Sequence, residues 1–468
     1  MMAKSRIKNS RGWFLTTAAI CALTIARCAT AAPTLKQVGA GINIDPTQIS
    51  VSGISSGGFM AHQFHVAHSE NIMGVGIVAG GPYYCAGGSI LDAVTKCSQF
   101  VMLECTKLKL DPGSCSKTDL APKDASAAEA VAQASFGEAQ KQEAAGTISK
   151  LTGLKGDKVY LFSAEYDAIV PHGVMDAVFH FYADPNKAGI EADNVGYNRT
   201  FPARHTMVVD GFNEPAAGAV GDCPLPPAPS PPLAKNTFID DCESVAKRQQ
   251  VKDGCVCSSP SAGEAARGTI CPPADKQTAC KDLRDVDLAG AILKRIYGEQ
   301  ALKGGRVKVT GEVKAFDQVQ VFGMFSRSPS TETQNASMAK MGYVFIPETC
   351  RDGRKCKLHV AFHGCLQGGE ATDHRSGQHN SNLFAKFAGY NEWAQANDII
   401  VLYPQVRVWN GTLQNPPINP QGCWDWWGQF YTRDNYHTQG GKQIKAVAQM
   451  INILAGGQKL LPIPAQSQ

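Results

Sequence analysis

The sequence lacks three features that would assign it to large classes of proteins. It has little excess charge, with 45 basic and 41 acidic residues, and therefore no electrostatic reason to bind nucleic acid or anionic lipid. Beyond residue 31 it has no apolar run long enough to cross a bilayer. It also has no CxxC pair with partner histidines at ligand spacing, which argues against a zinc site. We expect no metal and no other cofactor.

The first 31 residues have the pattern of a signal peptide. Basic residues between Lys4 and Arg11 precede an apolar run over residues 13–26, and Ala29-Thr30-Ala31 then offers a small-x-small cleavage site. The apolar run is short for a membrane span, which disfavours the alternative of an uncleaved anchor. Cleavage after residue 31 removes five basic residues and no acid, so the formal charge changes from +4 to −1. The pattern predicts a secreted protein, extracellular or periplasmic, that is not membrane-bound after cleavage.

Cysteine content agrees with export. The chain has 16 cysteines, and the predicted signal peptide removes Cys21 and Cys28. The 14 that remain are an even number, for which disulfides are the default in an exported protein. Cys350 and Cys356 flank a short turn and are expected to pair locally, whereas the other pairings are not readable from the sequence.

Short β-branched and apolar segments alternate with helical stretches, which predicts an α/β fold with a mostly parallel central sheet and helices on both faces. The predicted strands lie at residues 47–54, 73–80, 158–163, 357–362 and 398–403, and residues 206–209 are a further candidate. Residues 215–285 are rich in cysteine and proline and interrupt this pattern. We expect residues 32–468 to form a single catalytic domain, with 215–285 as a disulfide-stapled insertion rather than a linker.

Gly53-Ile54-Ser55-Ser56-Gly57 follows the first predicted strand and precedes a helix expected from about Gly58. In a G-x-S-x-G elbow the glycines give room for a strained turn between strand and helix, and the turn exposes the serine oxygen. Backbone N–H groups and a helix N-terminus lie beside such a serine. The pattern therefore predicts Ser55 as a nucleophile; a plain glycine-rich turn is the alternative.

A nucleophilic serine needs a base and an orienting carboxylate. Asp167 follows the predicted strand at 158–163, and Glu165 is its nearby rival. His205 comes next along the chain and gives the order Ser, Asp, His that is expected of an α/β-hydrolase. His437, near the C-terminus, is the alternative base.

His363-Gly364-Cys365 directly follows another predicted strand, and a strand ending in His-Gly commonly supplies an oxyanion donor. The N–H groups of Cys365 and Ser56 are the predicted pair of donors. This loop ordinarily precedes the nucleophile, but here it comes about three hundred residues after it. A circular permutation, with the two chain ends close together, accounts for the displacement.

Aromatic residues form the last signal. Residues 422–428 contain Trp424, Trp426 and Trp427, and such a cluster is either buried or used to bind an apolar ligand. Both readings are open: a substrate-binding surface, or core packing near a disulfide at Cys423. Tyr83 follows the second predicted strand and is expected to face the same cleft.

Several motifs in register resemble the secreted poly(3-hydroxybutyrate) depolymerases, in particular their single-domain, circularly permuted type. They are GISSGGFMAHQ, AGGPYYCA, DLAGAIL, AFHGCLQG, VLYPQ and GCWDWWG. The resemblance implies a triad of Ser55, His205 and Asp167, an oxyanion hole from Ser56 and Cys365, and a tryptophan of residues 422–428 in contact with substrate.

The substrate expected from this resemblance is an aliphatic polyester or oligoester. A feruloyl- or acetyl-releasing carboxylesterase acting on plant polysaccharide is an alternative, and a non-catalytic hydrolase-like binding protein is a second. The oligomeric state cannot be predicted from the sequence.

Overall fold

A computed structural model describes residues 32–99, 119–201, 203–209, 239–241, 287–371, 379–412, 415–428 and 435–464, with 239–241, 410–412 and 415–418 described by their backbone alone. The strands are β1 (Asn43–Ile54), β2 (Gly74–Val78), β3 (Lys158–Phe162), β4 (Val195–Asn198), β5 (Met207–Val209), β6 (Ile239–Asp241), β7 (Val313–Asp317), β8 (Met341–Phe345), β9 (Lys355–Phe362), β10 (Ile399–Tyr403), β11 (Trp409–Thr412) and β12 (Asn415–Asn419). The α-helices are α1 (Leu35–Val38), α2 (Ser56–Ala67), α3 (Ile90–Thr95), α4 (Ala125–Ala144), α5 (His172–Ala183), α6 (Leu288–Tyr297), α7 (Val319–Phe322), α8 (Pro329–Asn335), α9 (Leu383–Phe387), α10 (Tyr390–Asn397) and α11 (Lys442–Leu454).

Eight strands form one sheet in the order β4-β3-β2-β1-β9-β10-β8-β7. The first six strands in this order, which end with β10, pair in parallel with their neighbours. Strand β8 pairs antiparallel with both of its neighbours, β10 and β7. The central strands carry continuous apolar runs, as expected for parallel strands that are covered on both faces. The predicted mostly parallel sheet is therefore confirmed.

Alternate residues of β1 contact helices on opposite faces of the sheet. The hydroxyls of Ser50 and Ser52 hydrogen-bond to Tyr297 of α6 and Tyr390 of α10, at 2.7 and 2.6 Å. Gly53 faces the other way, toward Gly57 of α2. Helix α2 is buried along its whole length. A helix that is apolar or buried all round belongs to the interior of a domain.

Strand order reveals the permutation. The strand that leads into Ser55, β1, lies between β2 and β9, and β9 comes about three hundred residues later in the chain. The N-terminal part of the chain contacts the C-terminal part: the side chain of Asn71 donates to the carbonyl of Leu460. Leu454, at the end of α11, packs against Gly39. The structure thus confirms a circularly permuted α/β-hydrolase fold.

Three disulfides lie within the described residues, Cys85–Cys97, Cys350–Cys356 and Cys365–Cys423, and the second confirms the predicted local pair. The candidate strand at 206–209 forms β5, but it pairs with β6 in a separate two-stranded sheet. The predicted signal peptide lies outside the described residues. So does the predicted insertion at 215–285, apart from the backbone of β6. Within the described residues, no helix combines the length and apolarity that a bilayer crossing requires.

Candidate active site

Ser55 occupies a strained turn between β1 and α2, with φ 56° and ψ −127°. A positive φ is costly for a residue with a side chain, and it persists only where the surroundings impose it. Both glycines of the elbow meet backbone at close range. A Cβ on Gly53 would lie 2.1 Å from the carbonyl oxygen of Gly57, and a Cβ on Gly57 would lie 2.3 Å from that of Phe362. The helix begins at Ser56, two residues earlier than expected, so Gly57 lies in its first turn, where the backbone of Phe362 leaves no room for a side chain.

Strand register brings the loop after β9 to the elbow. Gly53 is paired with Phe362 across β1 and β9, so the two strands end at the same edge of the sheet. A Cβ on Gly364 would lie 3.2 Å from the Cβ of Ser55. Ser56, at the N-terminus of α2, and Cys365 both line the cavity in front of Ser55. The two N–H groups predicted as oxyanion donors are therefore brought to one place.

His205 and Asp167 form a buried pair. The Nδ1 atom of His205 lies 2.8 Å from Oδ2 of Asp167, and the two side chains are 8% and 1% exposed. The other carboxylate oxygen accepts the N–H groups of Ile169 and Val170, at 2.8 and 2.9 Å. These bonds hold the carboxylate in one orientation, and the carboxylate in turn orients the imidazole through Nδ1.

Two backbone hydrogen bonds explain how the His205–Asp167 pair comes together. The N–H groups of Glu165 and Tyr166 donate to the carbonyls of Phe201 and Ala203. The loop after β3 and the loop before β5 are thereby held side by side. The side chain of Glu165, the rival carboxylate, is exposed, and the carboxylate that pairs with Nδ1 of His205 is that of Asp167.

A cavity of about 510 Å³ opens in front of Ser55, and His205 lines it too. Its wall is largely apolar, and the apolar lining residues are Ile54, Phe59, Ile90, Ala93, Val94, Ile169, Val170, Leu366, Pro420, Trp426 and Trp427. Trp426 is stacked on Phe59, with ring centroids 4.0 Å apart, and Trp427 meets Trp426 edge to face. This wall suits an uncharged aliphatic ligand.

Two of the predicted substrate contacts require correction. Trp424 is fully buried, with its ring against Phe362 and His363, and it does not line the cavity. Tyr83 is also fully buried; its ring packs against His437 rather than facing the cleft. Amphipathic aromatic rings fit both interior and cleft, so the sequence pattern alone does not separate the two locations.

His437, the alternative base, lies outside the cavity lining. Its Nε2 is 3.4 Å from a carboxylate oxygen of Glu138 in a buried setting, and burial lowers the pKa of His437 to about 4. The described residues contain no group of three or more His, Cys, Asp or Glu side chains arranged to hold a metal ion.

Sequence reasoning missed most of the apolar wall. Ile90 and Val94 come from α3, Phe59 from the first turns of α2, and Ile169 and Val170 from the loop that carries Asp167. Proximity to Ser55 and Asp167 was a usable signal for Phe59, Ile169 and Val170. No sequence signal connected α3 with the cleft.

Strand order, the elbow at Ser55 and the His205–Asp167 pair define an α/β-hydrolase with a circularly permuted sheet. No family model matches the chain. Over 443 residues it is 29% identical to a poly(3-hydroxybutyrate) depolymerase of Delftia acidovorans, a match that covers 94% of this chain and 64% of the relative. Over 426 residues it is 27% identical to a polyhydroxybutyrate depolymerase of Talaromyces funiculosus, covering 89% and 91% of the two chains. Over most of its length the chain is similar to poly(3-hydroxybutyrate) depolymerases.

Solved structures give the same relationship. A PHB depolymerase from Penicillium funiculosum is 26% identical and superposes with a TM-score of 0.57, over 92% of this chain and 99% of that one. A serine-to-alanine PHB depolymerase in complex with an R3HB trimer is 25% identical, with a TM-score of 0.56 and the same coverage. The chain spans 64% of the length of the Delftia relative, so that relative has a substantial part with no counterpart in the match.

Proposed function

We propose that this protein is a serine esterase that hydrolyses poly(3-hydroxybutyrate) or a related aliphatic polyester or oligoester. The observation that carries the proposal is the convergence of Ser55, His205 and Cys365 on one apolar cavity, with Asp167 bonded to His205. The family relationship, and the R3HB trimer bound to one relative, support the substrate class.

In the proposed mechanism, the Oγ of Ser55 attacks the ester carbonyl and His205 accepts its proton. Asp167 holds the imidazole tautomer and stabilises the imidazolium that forms. The N–H groups of Ser56 and Cys365 donate to the oxyanion, and one such donor contributes about 3–4 kcal/mol to stabilising the transition state. The proton then passes to the leaving alcohol, and water, activated by His205, releases the acyl group from Ser55.

Substrate binding is assigned to the apolar wall, with Trp426 and Trp427 as its aromatic part. A repeating aliphatic ester has no charge to pair, so its affinity must come from the removal of apolar surface from water. Among the described residues, no charged side chain lines the cavity apart from His205, whose charge depends on its proton.

We also propose that the protein is secreted after removal of residues 1–31, and that residues 32–468 form one catalytic domain with an insertion at 215–285. The three disulfides of the described residues support export, because such bonds persist in oxidising compartments.

The direct test compares wild type with Ser55→Ala on a suspension of amorphous poly(3-hydroxybutyrate) and on soluble 3-hydroxybutyrate oligomers. We expect the variant to lose on the order of 10⁶ in kcat, as for other serine nucleophiles. Ser328→Ala, at an exposed position whose hydroxyl makes no capping bond, is the control and should match wild type. Hydrolysis by Ser55→Ala at the wild-type rate would refute the nucleophile. Release of ferulate or acetate from plant polysaccharide, without any clearing of polyester, would refute the substrate.

A further inference from the structure

Three N–H groups of the loop after β9 are bonded within the protein. The N–H of Gly364 donates to Oε1 of Gln367 at 2.5 Å, that of Gln367 to the carbonyl of Gly364 at 3.2 Å, and that of Leu366 to the carbonyl of Gln421 at 2.7 Å. The N–H of Cys365 has no acceptor among the described residues. Cys365 is half-buried and lines the cavity, where an N–H group that the protein leaves unpaired can donate to a bound ligand.

The tautomer of His363 follows from its two neighbours. The backbone N–H of Val406 donates to Nε2 of His363 at 3.2 Å, so Nε2 carries no proton. The proton of the neutral ring is then on Nδ1, which lies 2.7 Å from the carbonyl oxygen of Gly364 and donates to it. The ring is fully buried, and burial lowers the pKa of His363 to about 4, so it stays neutral at working pH.

The carbonyl of Gly364 and the N–H of Cys365 belong to one peptide group. A peptide is planar and trans, so its C=O and N–H point in opposite directions. A bond that fixes the Gly364 carbonyl against the His363 ring therefore also fixes the direction of the Cys365 N–H, on the side of the cavity that Cys365 lines. A donor on the carbonyl also polarises the peptide and strengthens its N–H as a donor.

We propose that His363 is a positioning residue for the oxyanion hole, acting through the Gly364–Cys365 peptide. The proposal rests on the proposed esterase function. His363 itself touches no substrate. Its ring is held by surrounding groups: a Cβ on Gly368 would lie 2.8 Å from its Cε1, and the ring of Trp424 packs 5.6 Å away between centroids.

Two substitutions separate the two bonds of the ring. In His363→Asn the amide nitrogen takes the place of Nδ1 and can still donate to Gly364. In His363→Gln the amide reaches toward the Nε2 position, where its oxygen can accept from Val406, but the bond to Gly364 is lost. On a soluble short-chain ester, we expect kcat of His363→Gln to fall about 10–100-fold with KM within twofold of wild type, somewhat less than loss of a whole donor. We expect kcat of His363→Asn to be at least tenfold higher than kcat of His363→Gln.

The second readout is binding of an alkyl trifluoromethyl ketone. Ser55 adds to its carbonyl carbon, the Ser55 proton passes to His205, and an oxyanion forms where the N–H donors lie. The inhibition constant should rise in His363→Gln by the same factor as kcat falls, whereas the inhibition constant of the corresponding alkyl alcohol, which is uncharged and has no carbonyl to form an oxyanion, should not change.

His359→Gln is the matched control, because His359 is an equally buried imidazole on β9, the strand that leads into His363, and it is bonded to Ser50 and Ser52 rather than to the loop. Any general loss of stability should appear in both variants, as a lower melting temperature, but the loss of ketone affinity should appear only at position 363. Equal ketone inhibition in wild type and in folded His363→Gln would overturn the proposal. An active Ser55→Ala enzyme would instead overturn the proposed function.

Discussion

A disulfide joins Cys365 to Cys423, with 4.3 Å between their Cα atoms. Cys365 carries the second proposed oxyanion donor, and Cys423 begins the loop in which Trp426 and Trp427 follow. Both cysteines line the cavity. One covalent bond therefore fixes the polar wall that stabilises charge and the aromatic wall that holds substrate relative to each other.

Removal of this bond should affect catalysis as well as stability. For the double variant Cys365→Ser, Cys423→Ser we expect kcat on a soluble ester to fall about tenfold, equivalent to about 1.4 kcal/mol, because the loop after β9 loses its tether. The bond closes a loop of 58 residues, for which chain entropy gives about 4 kcal/mol of stabilisation.

The control is Cys350→Ser, Cys356→Ser, which opens a loop of 6 residues remote from the cavity. It should cost about 2 kcal/mol by the same reasoning and leave kcat unchanged. Melting temperature and ester hydrolysis, measured on both variants, check the prediction; equal kcat in the two would contradict a catalytic role for the Cys365–Cys423 bond.

Asp167→Asn tests the choice between the two carboxylates. The amide keeps the shape of the side chain but cannot hold the His205 tautomer, for which we expect kcat to fall by about 10⁴. Glu165→Gln changes an exposed side chain and should have no effect. Steady-state kinetics on a soluble ester measure both. A larger loss in Glu165→Gln than in Asp167→Asn would reverse the assignment.

Tryptophans of the same segment should respond differently to truncation. Trp426→Ala removes a ring that stacks on Phe59 in the cavity wall, and KM for 3-hydroxybutyrate oligomers should rise roughly tenfold, which corresponds to about 1.4 kcal/mol. Trp424→Ala should instead lower the free energy of unfolding by about 3–5 kcal/mol, since it opens a cavity in the core.

Trp409→Ala is the control, because Trp409 lies outside the cavity lining, beneath the guanidinium of Arg407. Oligomer kinetics and chemical denaturation of the three variants distinguish the cases. An unchanged KM in Trp426→Ala would remove Trp426 from the binding wall.

The contrast between Trp424 and Trp426 shows how far sequence reasoning reaches. The elbow, the strand before it and the His-Gly loop are local patterns, and each is predicted in the right place because glycines and β-branched runs act through neighbouring backbone, although β1 begins four residues before the predicted start at residue 47. Which tryptophan faces the cleft depends on contacts with Phe59 and Phe362, and these are tertiary. The position of α3 at the cavity also depends on tertiary contacts, and the sequence of α3 alone does not predict it.

Buried imidazoles should make the protein sensitive to acid. His62, His68 and His359 have their pKa lowered to about 3 by burial. Between pH 6.5 and about 3 the unfolded chain binds protons that the folded chain does not. The free energy of unfolding therefore falls as pH falls through this window, by up to about 1.4 kcal/mol per pH unit for each ring.

His68→Leu isolates one such ring, because neither nitrogen of His68 has a hydrogen-bond partner in the described part of the chain. Between pH 8 and pH 5 the free energy of unfolding should fall by about 2 kcal/mol less in the variant than in wild type. Urea denaturation at several pH values measures this difference. Parallel curves for the two proteins from pH 8 to pH 5 would show that His68 is not protonated on unfolding.

The adjacency of β1 and β9 has a consequence for the timing of folding. Ser50 and His359, in contact across these strands, are 309 residues apart. A ribosome has completed Ser55, Asp167 and His205 long before it reaches Cys365, so the early chain carries all three triad residues without the second oxyanion donor. Contacts of such long range also form slowly. Under the proposed mechanism, esterase activity is therefore acquired late, when the last strands join the centre of the sheet, and a chain truncated before Cys365 lacks it.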